Sequence, residues 1–218
     1  MNLPKEEIDQ YKNRLVTTFS DLKRISTYEH WIQESIPIGK SLGNLRSICD
    51  LHANDKEIIS KLALWREQAT TFRDTFKITF DGTKRWLHER LLDVPDRILF
   101  LVIDSENIPI GHMGFDRSLN DDCILNFDNI IRGAKRTNPE IMFEAVKSMF
   151  SWAYDVIKPK IIMSTPVMEY NTNSVRFHNY AGFKFVSKKL QDKITPDAQD
   201  EYEMTFIYEP NDHSRRLS

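Results

Sequence analysis

Hydrophobic and polar positions along the chain recur with two different periods, and the changes of period separate helices from strands. Residues 6–19 and 27–35 carry apolar positions at helical spacing, which predicts two short helices. Pro37 and Gly39 then interrupt the pattern. From residue 41 onwards, apolar runs that are typical of strands alternate with amphipathic stretches. We therefore separate residues 1–40, a helical N-terminal extension, from the main domain.

The strands of the main domain are predicted at residues 45–49, 97–103, 109–116, 123–131, 160–167, 183–186 and 202–208. Helices are predicted after Asn54 or Asp55, at residues 83–92, after Asn138 and at residues 173–181. This order predicts an α/β (α+β) fold in which a mixed central sheet of about six to seven strands is flanked by helices. The domain is expected to cover residues 41–210, and residues 211–218 are expected to form a flexible tail.

Composition narrows the class of protein. The formal net charge is -2 with acids and bases interspersed, which argues against a nucleic-acid partner. The two cysteines lie far apart, so neither a disulfide framework nor a metal site is expected. The N-terminus does not resemble a signal peptide, and no apolar run reaches the ~18 residues of a membrane span. We expect a cytoplasmic protein with no membrane partner, and a homodimer is a weak general expectation.

Two segments resemble the GNAT superfamily of N-acetyltransferases. The first, residues 123–155, is a strand, a turn and a long helix. The second starts at Asn171, continues as a short helix with aromatic residues and ends in Gly182-Phe183. The order of elements over residues 41–208 is also similar. The resemblance implies the GNAT fold, acetyl-CoA as co-substrate, and direct attack of a primary amine on the acetyl thioester.

A finer similarity concerns one subgroup of the superfamily. Residues 65–67, 79–86, 97–100, 110–114 and 128–133 resemble relatives from bacterial surface-sugar pathways. These relatives acetylate amino groups on nucleotide-linked sugars. The resemblance therefore implies a small-molecule amine, and specifically a nucleotide-linked amino sugar of surface polysaccharide biosynthesis, as the acceptor.

The resemblance also assigns the cofactor-binding residues. Pyrophosphate is expected at the N-terminus of the long helix, where N–H groups and the helix dipole favour anions. The segment lacks the family's glycines, and Arg132, Lys135 or Arg136 could compensate. The backbone around Ile131 is expected to bind the pantetheine and the thioester oxygen, and Asn171 either contacts CoA or caps a helix. The full set of cofactor residues is Ile130, Ile131, Arg132, Arg136, Thr137, Asn138, Glu140, Ile141, Met142 and Asn171.

Three residues are candidates for proton transfer. His178 occupies the position of a tyrosine that protonates the departing thiolate in many relatives, with Tyr180 in reserve. Asp128 and His112 are candidate bases for the amine, although relatives without a dedicated base exist. Two other functions stay open. One is a catalytically silent GNAT-like domain that binds CoA or acts as a scaffold, and the other is an acetyltransferase for a protein N-terminus or a small amine.

Overall fold

The computed structural model describes residues 3–69, 77–134, 138, 140–191 and 200–209. Within these residues, eight strands form one mixed sheet and six α-helices pack on it. This confirms the predicted fold class. The predicted strand count is one too low.

Four of the helices begin where the sequence supplies a capping side chain. Asp55 accepts hydrogen bonds from the N–H groups of Glu57 and Ile58, and Thr79 accepts one from Gly82. A 3₁₀ turn at Asp50–His52 precedes the third helix, and a π-helical turn at His88–Leu92 follows the fourth. The helices are α1 (Lys5–Lys23), α2 (Tyr28–Gln33), α3 (Lys56–Gln68), α4 (Phe80–Leu87), α5 (Ile141–Val156) and α6 (Thr172–Tyr180).

The strands follow one another across the sheet in almost their order along the chain. The spatial order is β1-β2-β3-β4-β5-β6-β8-β7, and only β5 and β6 run parallel. The strands are β1 (Ile36–Ile38), β2 (Gly43–Ser47), β3 (Ile98–Asp104), β4 (Pro109–Phe115), β5 (Ile124–Arg132), β6 (Ile161–Met168), β7 (Lys184–Leu190) and β8 (Tyr202–Tyr208).

The strand that the sequence prediction missed is β1. Pro37 was interpreted as a break, but it lies between two buried isoleucines, Ile36 and Ile38, in a short strand paired with β2. Because β1 is at the edge of the sheet, the missing N–H of Pro37 costs no ladder hydrogen bond. Gly39, which follows Ile38, has φ +54° and ends the strand.

The core lies on both faces of the sheet, and different helices cover each face. Phe115 on β4 contacts Phe19 on α1 and Phe150 on α5, so both helices cover one face. His112, three positions earlier on β4, points to the opposite face and contacts Trp65 on α3. Among the described residues, none of the helices has the length and apolar character needed to cross a membrane.

Candidate functional site

A slot opens where β5 and β6 separate. The two strands pair at three positions only, from Ile124 opposite Ile161 to Asn126 opposite Met163, and each strand then continues without the other. The start of α6 closes one end of this space. The resulting pocket has a volume of about 180 Å³. It is lined by Asp128, Asn129, Ile130, Ile131, Ser164, Pro166, Val167, Met168, Asn171, Ser174 and His178.

A β-bulge at Asn129 bends β5 along the slot. Gly114 pairs with Asp128 and His112 pairs with Ile131, so β5 carries one more residue than β4 between these pairs. Asn129 adopts φ +57°, a conformation that asparagine tolerates better than most residues. His112 Nδ1 lies 2.7 Å from the carbonyl oxygen of Asn129. Since a carbonyl only accepts, Nδ1 carries the proton and donates to the bulge.

His112 is held as a neutral imidazole. Its side chain is buried beneath the ring of Trp65, with 6.1 Å between the ring centroids. Burial, with a smaller contribution from the nearby Arg66 guanidinium, lowers the pKa of His112 to about 4, against the opposing effect of the hydrogen bond to Asn129. Its Nε2 atom has no hydrogen-bond partner in the described part of the chain. Trp65 comes this close because Gly133 has no side chain, and a Cβ there would lie 2.1 Å from the indole.

Asp128 is the carboxylate at the slot. Its Oδ1 accepts a 2.7 Å hydrogen bond from the N–H of Asn129, and its Oδ2 lies 3.5 Å from Arg117 Nη2. Loss of water raises the pKa of Asp128, against the opposing effects of the Asn129 N–H and Arg117. The group therefore binds a proton more readily than an ordinary aspartate does.

His178 lies on α6 beneath the slot and is 1% exposed. Its Nδ1 lies 2.7 Å from the carbonyl oxygen of Ser174, and its Nε2 lies 2.8 Å from Ser164 Oγ. Burial lowers the pKa of His178, so the ring is neutral near pH 7. Tyr180, the reserve candidate, is 72% exposed and contacts Phe143 on α5.

Asn171 is the N-cap of α6. Its Oδ1 accepts a 3.0 Å hydrogen bond from the N–H of Ser174, and the residue also lines the slot. The capping interpretation of Asn171 is thus seen directly. A contact of the same residue with CoA stays a prediction.

The N-terminus of α5 differs from the expected anion site. The helix begins at Ile141 in the described part of the chain, and Asn138 accepts hydrogen bonds from the N–H groups at its start. Asn138 Oδ1 accepts from Glu140 N–H at 2.9 Å, and the Asn138 carbonyl accepts from Ile141 N–H at 3.3 Å. The side chains of Ile141 and Met142 are buried in the core, so only their backbone could face a ligand.

Five further residues were predicted to bind the cofactor. Ile130 and Ile131 line the slot from β5. Arg132 ends β5 with an exposed side chain, whose Nε donates to the carbonyl oxygen of Ala134 at 3.2 Å. Arg136 and Thr137, together with Lys135, lie outside the described residues.

Two residues with functional potential were not singled out by the sequence. Ser164 lies in the slot, hydrogen-bonded to His178, and Arg66 stacks on Trp86 with 4.5 Å between the guanidinium carbon and the ring centroid. The spacing of Trp65-Arg66 and Trp86 on two predicted helices was a usable signal for the second contact. No sequence spacing indicates the first, because Ser164 and His178 meet only through the packing of α6 on β6.

Comparison of the sequence with protein-family models and with curated proteins gives no match. Comparison of the structure with solved structures does. A probable acetyltransferase of the GNAT family from Chromobacterium violaceum ATCC 12472 matches with a TM-score of 0.57 at 17% identity, over 80% of this chain and 85% of that chain.

Two other solved structures match to a similar degree. The ribosomal L7/L12 alpha-N-protein acetyltransferase RimL has a TM-score of 0.59 at 13% identity, covering 80% of this chain and 93% of that one. A dodecameric spermidine N-acetyltransferase from Vibrio cholerae has a TM-score of 0.57 at 12% identity, covering 80% and 97%. The chain therefore has the fold of the GNAT acetyltransferases.

Proposed function

We propose that the chain is an acetyl-CoA-dependent N-acetyltransferase that transfers acetyl directly to a primary amine. The observation that carries this proposal is the slot between β5 and β6, with a proton-accepting carboxylate at its edge. Beyond Asn126, β5 pairs with β4 on one side and has no strand partner on the other. An extended pantetheine chain would pair with this free side of β5.

The chain's own residues supply the chemistry in two ways. A backbone N–H of β5 near Ile131 donates to the thioester oxygen and stabilises the negative charge that develops there. Asp128 accepts the proton of the attacking amine, and its raised pKa suits this task better than that of an ordinary aspartate would. His112 stays neutral and holds the bulge between these two groups.

The acceptor is proposed to carry negative charge. Arg66 is partly buried against Trp86, on the α3–α4 side of the sheet, where it influences the ionisation of His112. Burial and the neighbouring Arg97 both lower the pKa of Arg66, which indicates an unfavourable environment for the cation. No carboxylate among the described residues forms an ion pair with it. A phosphate or carboxylate of the acceptor would complete this environment.

This argument favours a nucleotide-linked amino sugar, as in surface polysaccharide biosynthesis, over a polyamine. A diphosphate brings the negative charge that would neutralise Arg66. The base or sugar can stack on an aromatic ring such as that of Trp86. Spermidine, the substrate named for the Vibrio cholerae enzyme, is a cation and would be repelled by Arg66. A protein N-terminus, as named for RimL, would be accepted if an acidic residue lay near it.

A second candidate is a GNAT-like domain without catalysis. The N-terminus of α5 supports it, because Asn138 already occupies the N–H groups of Glu140 and Ile141. Binding of acetyl-CoA separates the possibilities. In the enzyme, acetyl-CoA raises the melting temperature saturably. Fragments that lack the pyrophosphate give a smaller shift. No shift at millimolar acetyl-CoA would contradict the enzyme proposal.

Replacement of Arg66 tests the acceptor class. We expect Arg66→Met to lower kcat/KM for a nucleotide-linked amino sugar by about tenfold or more, because a charge-assisted hydrogen bond is lost. The rate with a small uncharged amine should not fall. Arg85→Met, which removes an exposed arginine from α4, is the matched control. Equal losses on both acceptors would refute an anion-binding role for Arg66.

A further inference from the structure

Ser164 and His178 form a hydrogen-bonded pair at the wall of the slot. Ser164 Oγ lies 2.8 Å from His178 Nε2, and His178 Nδ1 lies 2.7 Å from the carbonyl oxygen of Ser174. A carbonyl oxygen can only accept, so Nδ1 carries the ring proton. Nε2 of the neutral ring then has a lone pair and accepts the proton of the Ser164 hydroxyl. The direction of both hydrogen bonds is therefore fixed by chemistry.

The surroundings hold His178 in this state. The ring packs against Phe183 and Phe206, with centroid distances of 4.8 and 5.1 Å, and it is 1% exposed. Burial in this aromatic environment lowers the pKa of His178. With its one proton bonded to Ser174, the neutral ring offers a base at Nε2 rather than an acid.

The hydroxyl of Ser164, a residue that is 4% exposed, lies next to this base at the slot. Both residues line the pocket, together with the β5 segment that includes Ile131. A nucleophile, a base within hydrogen-bond distance and a third group that orients the base are the parts that acyl transfer to serine requires. The Ser174 carbonyl takes the orienting role. The β5 backbone across the slot offers N–H groups for the oxygen of an acyl group.

We propose that Ser164 is a nucleophile activated by His178, and that the protein hydrolyses acetyl-CoA through an acetyl-Ser164 ester when no amine is present. This inference rests on the proposed function, because it requires the thioester to lie in the same slot. Ser164 Oγ forms a bond with the acetyl carbon while its proton moves to His178 Nε2. The carbon–sulfur bond breaks, and the departing thiolate takes that proton as CoA–SH.

Water completes the cycle. A water molecule attacks the ester carbonyl, gives one proton to His178 Nε2, and acetate forms as the ester bond breaks. The Ser164 oxygen then recovers a proton from His178. The sum is acetyl-CoA and water converted to acetate and CoA, without an oxidant or reductant. An amine in the slot competes for the same carbonyl and suppresses this hydrolysis.

The experiment uses the full chain with acetyl-CoA and no amine. CoA release is followed with a thiol reagent, and acid-quenched samples are analysed by intact mass and peptide mapping. We expect one acetyl group on Ser164, and we expect Ser164→Ala to lower CoA release by about 100-fold. Thr205→Val, which removes a hydroxyl on β8 that is not part of the slot lining, should behave as the wild type does.

A second variant and a pH profile distinguish catalysis from a structural role. Ser164→Cys keeps a nucleophile, so its adduct should form as a thioester that neutral hydroxylamine removes. Hydrolysis should fall at acid pH as His178 becomes protonated. This fall in the rate of hydrolysis should occur at a pH below the ordinary histidine pKa, because burial lowers the pKa of His178.

The melting-temperature shift with acetyl-CoA is measured on the same samples. A shift without acetylation of Ser164, and with equal CoA release by wild type and Ser164→Ala, would overturn the inference and leave the proposed function intact. Absence of both the shift and the adduct would overturn the two together.

Discussion

Asp116, directly after β4, and Asp128, in the middle of β5, are two carboxylates that are held very differently. Asp116 is buried and forms a two-point ion pair with Arg97, whose Nε lies 2.7 Å from Asp116 Oδ1. The side chain of Asp128 is 41% exposed, accepts a hydrogen bond from the N–H of Asn129, and among the described residues has only a long ionic contact, with Arg117 at 3.5 Å. A carboxylate that is tightly paired resists protonation, whereas one that has lost water without gaining a strong partner accepts a proton. Asp128 is therefore the better candidate base.

Replacing Asp128 by asparagine should remove this base with little change of shape. We expect kcat/KM for acetyl transfer to fall by about 100-fold. In the wild type, activity should rise with pH as Asp128 ionises, at a pH above the ordinary value of 3.8 because desolvation raises the pKa of this group. The Asp128→Asn variant should lack this rise of activity with pH. Asp121→Asn, at an exposed position, is the control, and an unchanged pH–rate profile in Asp128→Asn would assign the base elsewhere.

At the scale of single residues, the sequence predicted the features that depend on one helix or strand alone. The position of Asp128 on a strand and the capping role of Asn171 follow from local pattern. The bulge at Asn129 and the bond from His112 to it depend on the register of β4 against β5. The Ser164–His178 pair depends on how α6 packs. These contacts could not be predicted because they form between elements.

Among the elements, α1 contributes a row of side chains to the core. Its inward positions Tyr11, Leu15 and Phe19 are fully buried. Lys23, near its C-terminal end, donates to the carbonyl oxygens of Leu91 and Val94, which joins α1 to the chain segment before β3. Burial lowers the pKa of Lys23 to about 8. Apolar packing thus holds the helix on the sheet, and the buried Lys23 cation holds it to the segment before β3.

Truncation of one buried side chain of α1 measures how much the packing of this helix contributes to the free energy of unfolding. Phe19 stacks on Phe115 at 6.5 Å between centroids and is 0% exposed. We expect Phe19→Ala to lower the free energy of unfolding by about 3–5 kcal/mol, since the buried ring is lost and a cavity remains. Thr17→Ala, at an exposed position of α1, should change it little. Urea unfolding provides the comparison, and a small effect of Phe19→Ala would mean that α1 is only loosely attached.

Element boundaries were less predictable than element types. The apolar periods of α3 and α5 predicted these helices because each packs one continuous face, whereas β3 was predicted from a continuous apolar run and is buried on both faces. Strand β1 was missed because Pro37 usually marks a break, and only its place at the edge of the sheet makes it tolerable. Helix α5 begins at Ile141 among the described residues, and Asn138, the predicted N-cap, accepts from the N–H groups of Glu140 and Ile141.

Over the whole molecule, buried histidines make stability depend on pH. Burial lowers the pKa values of His52, His112 and His178, and that of His112 falls to about 4. Between this value and about 6.5, the unfolded chain binds protons that the folded chain does not. The free energy of unfolding is therefore fully retained above about pH 6.5 and is lost progressively as the pH falls.

The effect of His112 can be isolated by comparing wild type with His112→Asn. Asparagine can still donate to the carbonyl of Asn129 but does not titrate. We expect the wild type to lose about 2 kcal/mol more than the variant between pH 7 and pH 5. Urea unfolding at both pH values gives this difference. Parallel losses in the two proteins would show that His112 is not the source.

The hydroxyl of Tyr11 donates to the carbonyl oxygens of Ser118 and Ile124, at 2.9 Å each, and these partners lie far along the chain from α1. During synthesis on the ribosome, α1 emerges before any of the strands against which it packs. Its apolar side then stays exposed to solvent, or bound to a chaperone, until β4 and the start of β5 have been synthesised. The nascent chain is consequently most exposed to aggregation through its first helix, and a pause in translation before residue 124 would lengthen that interval.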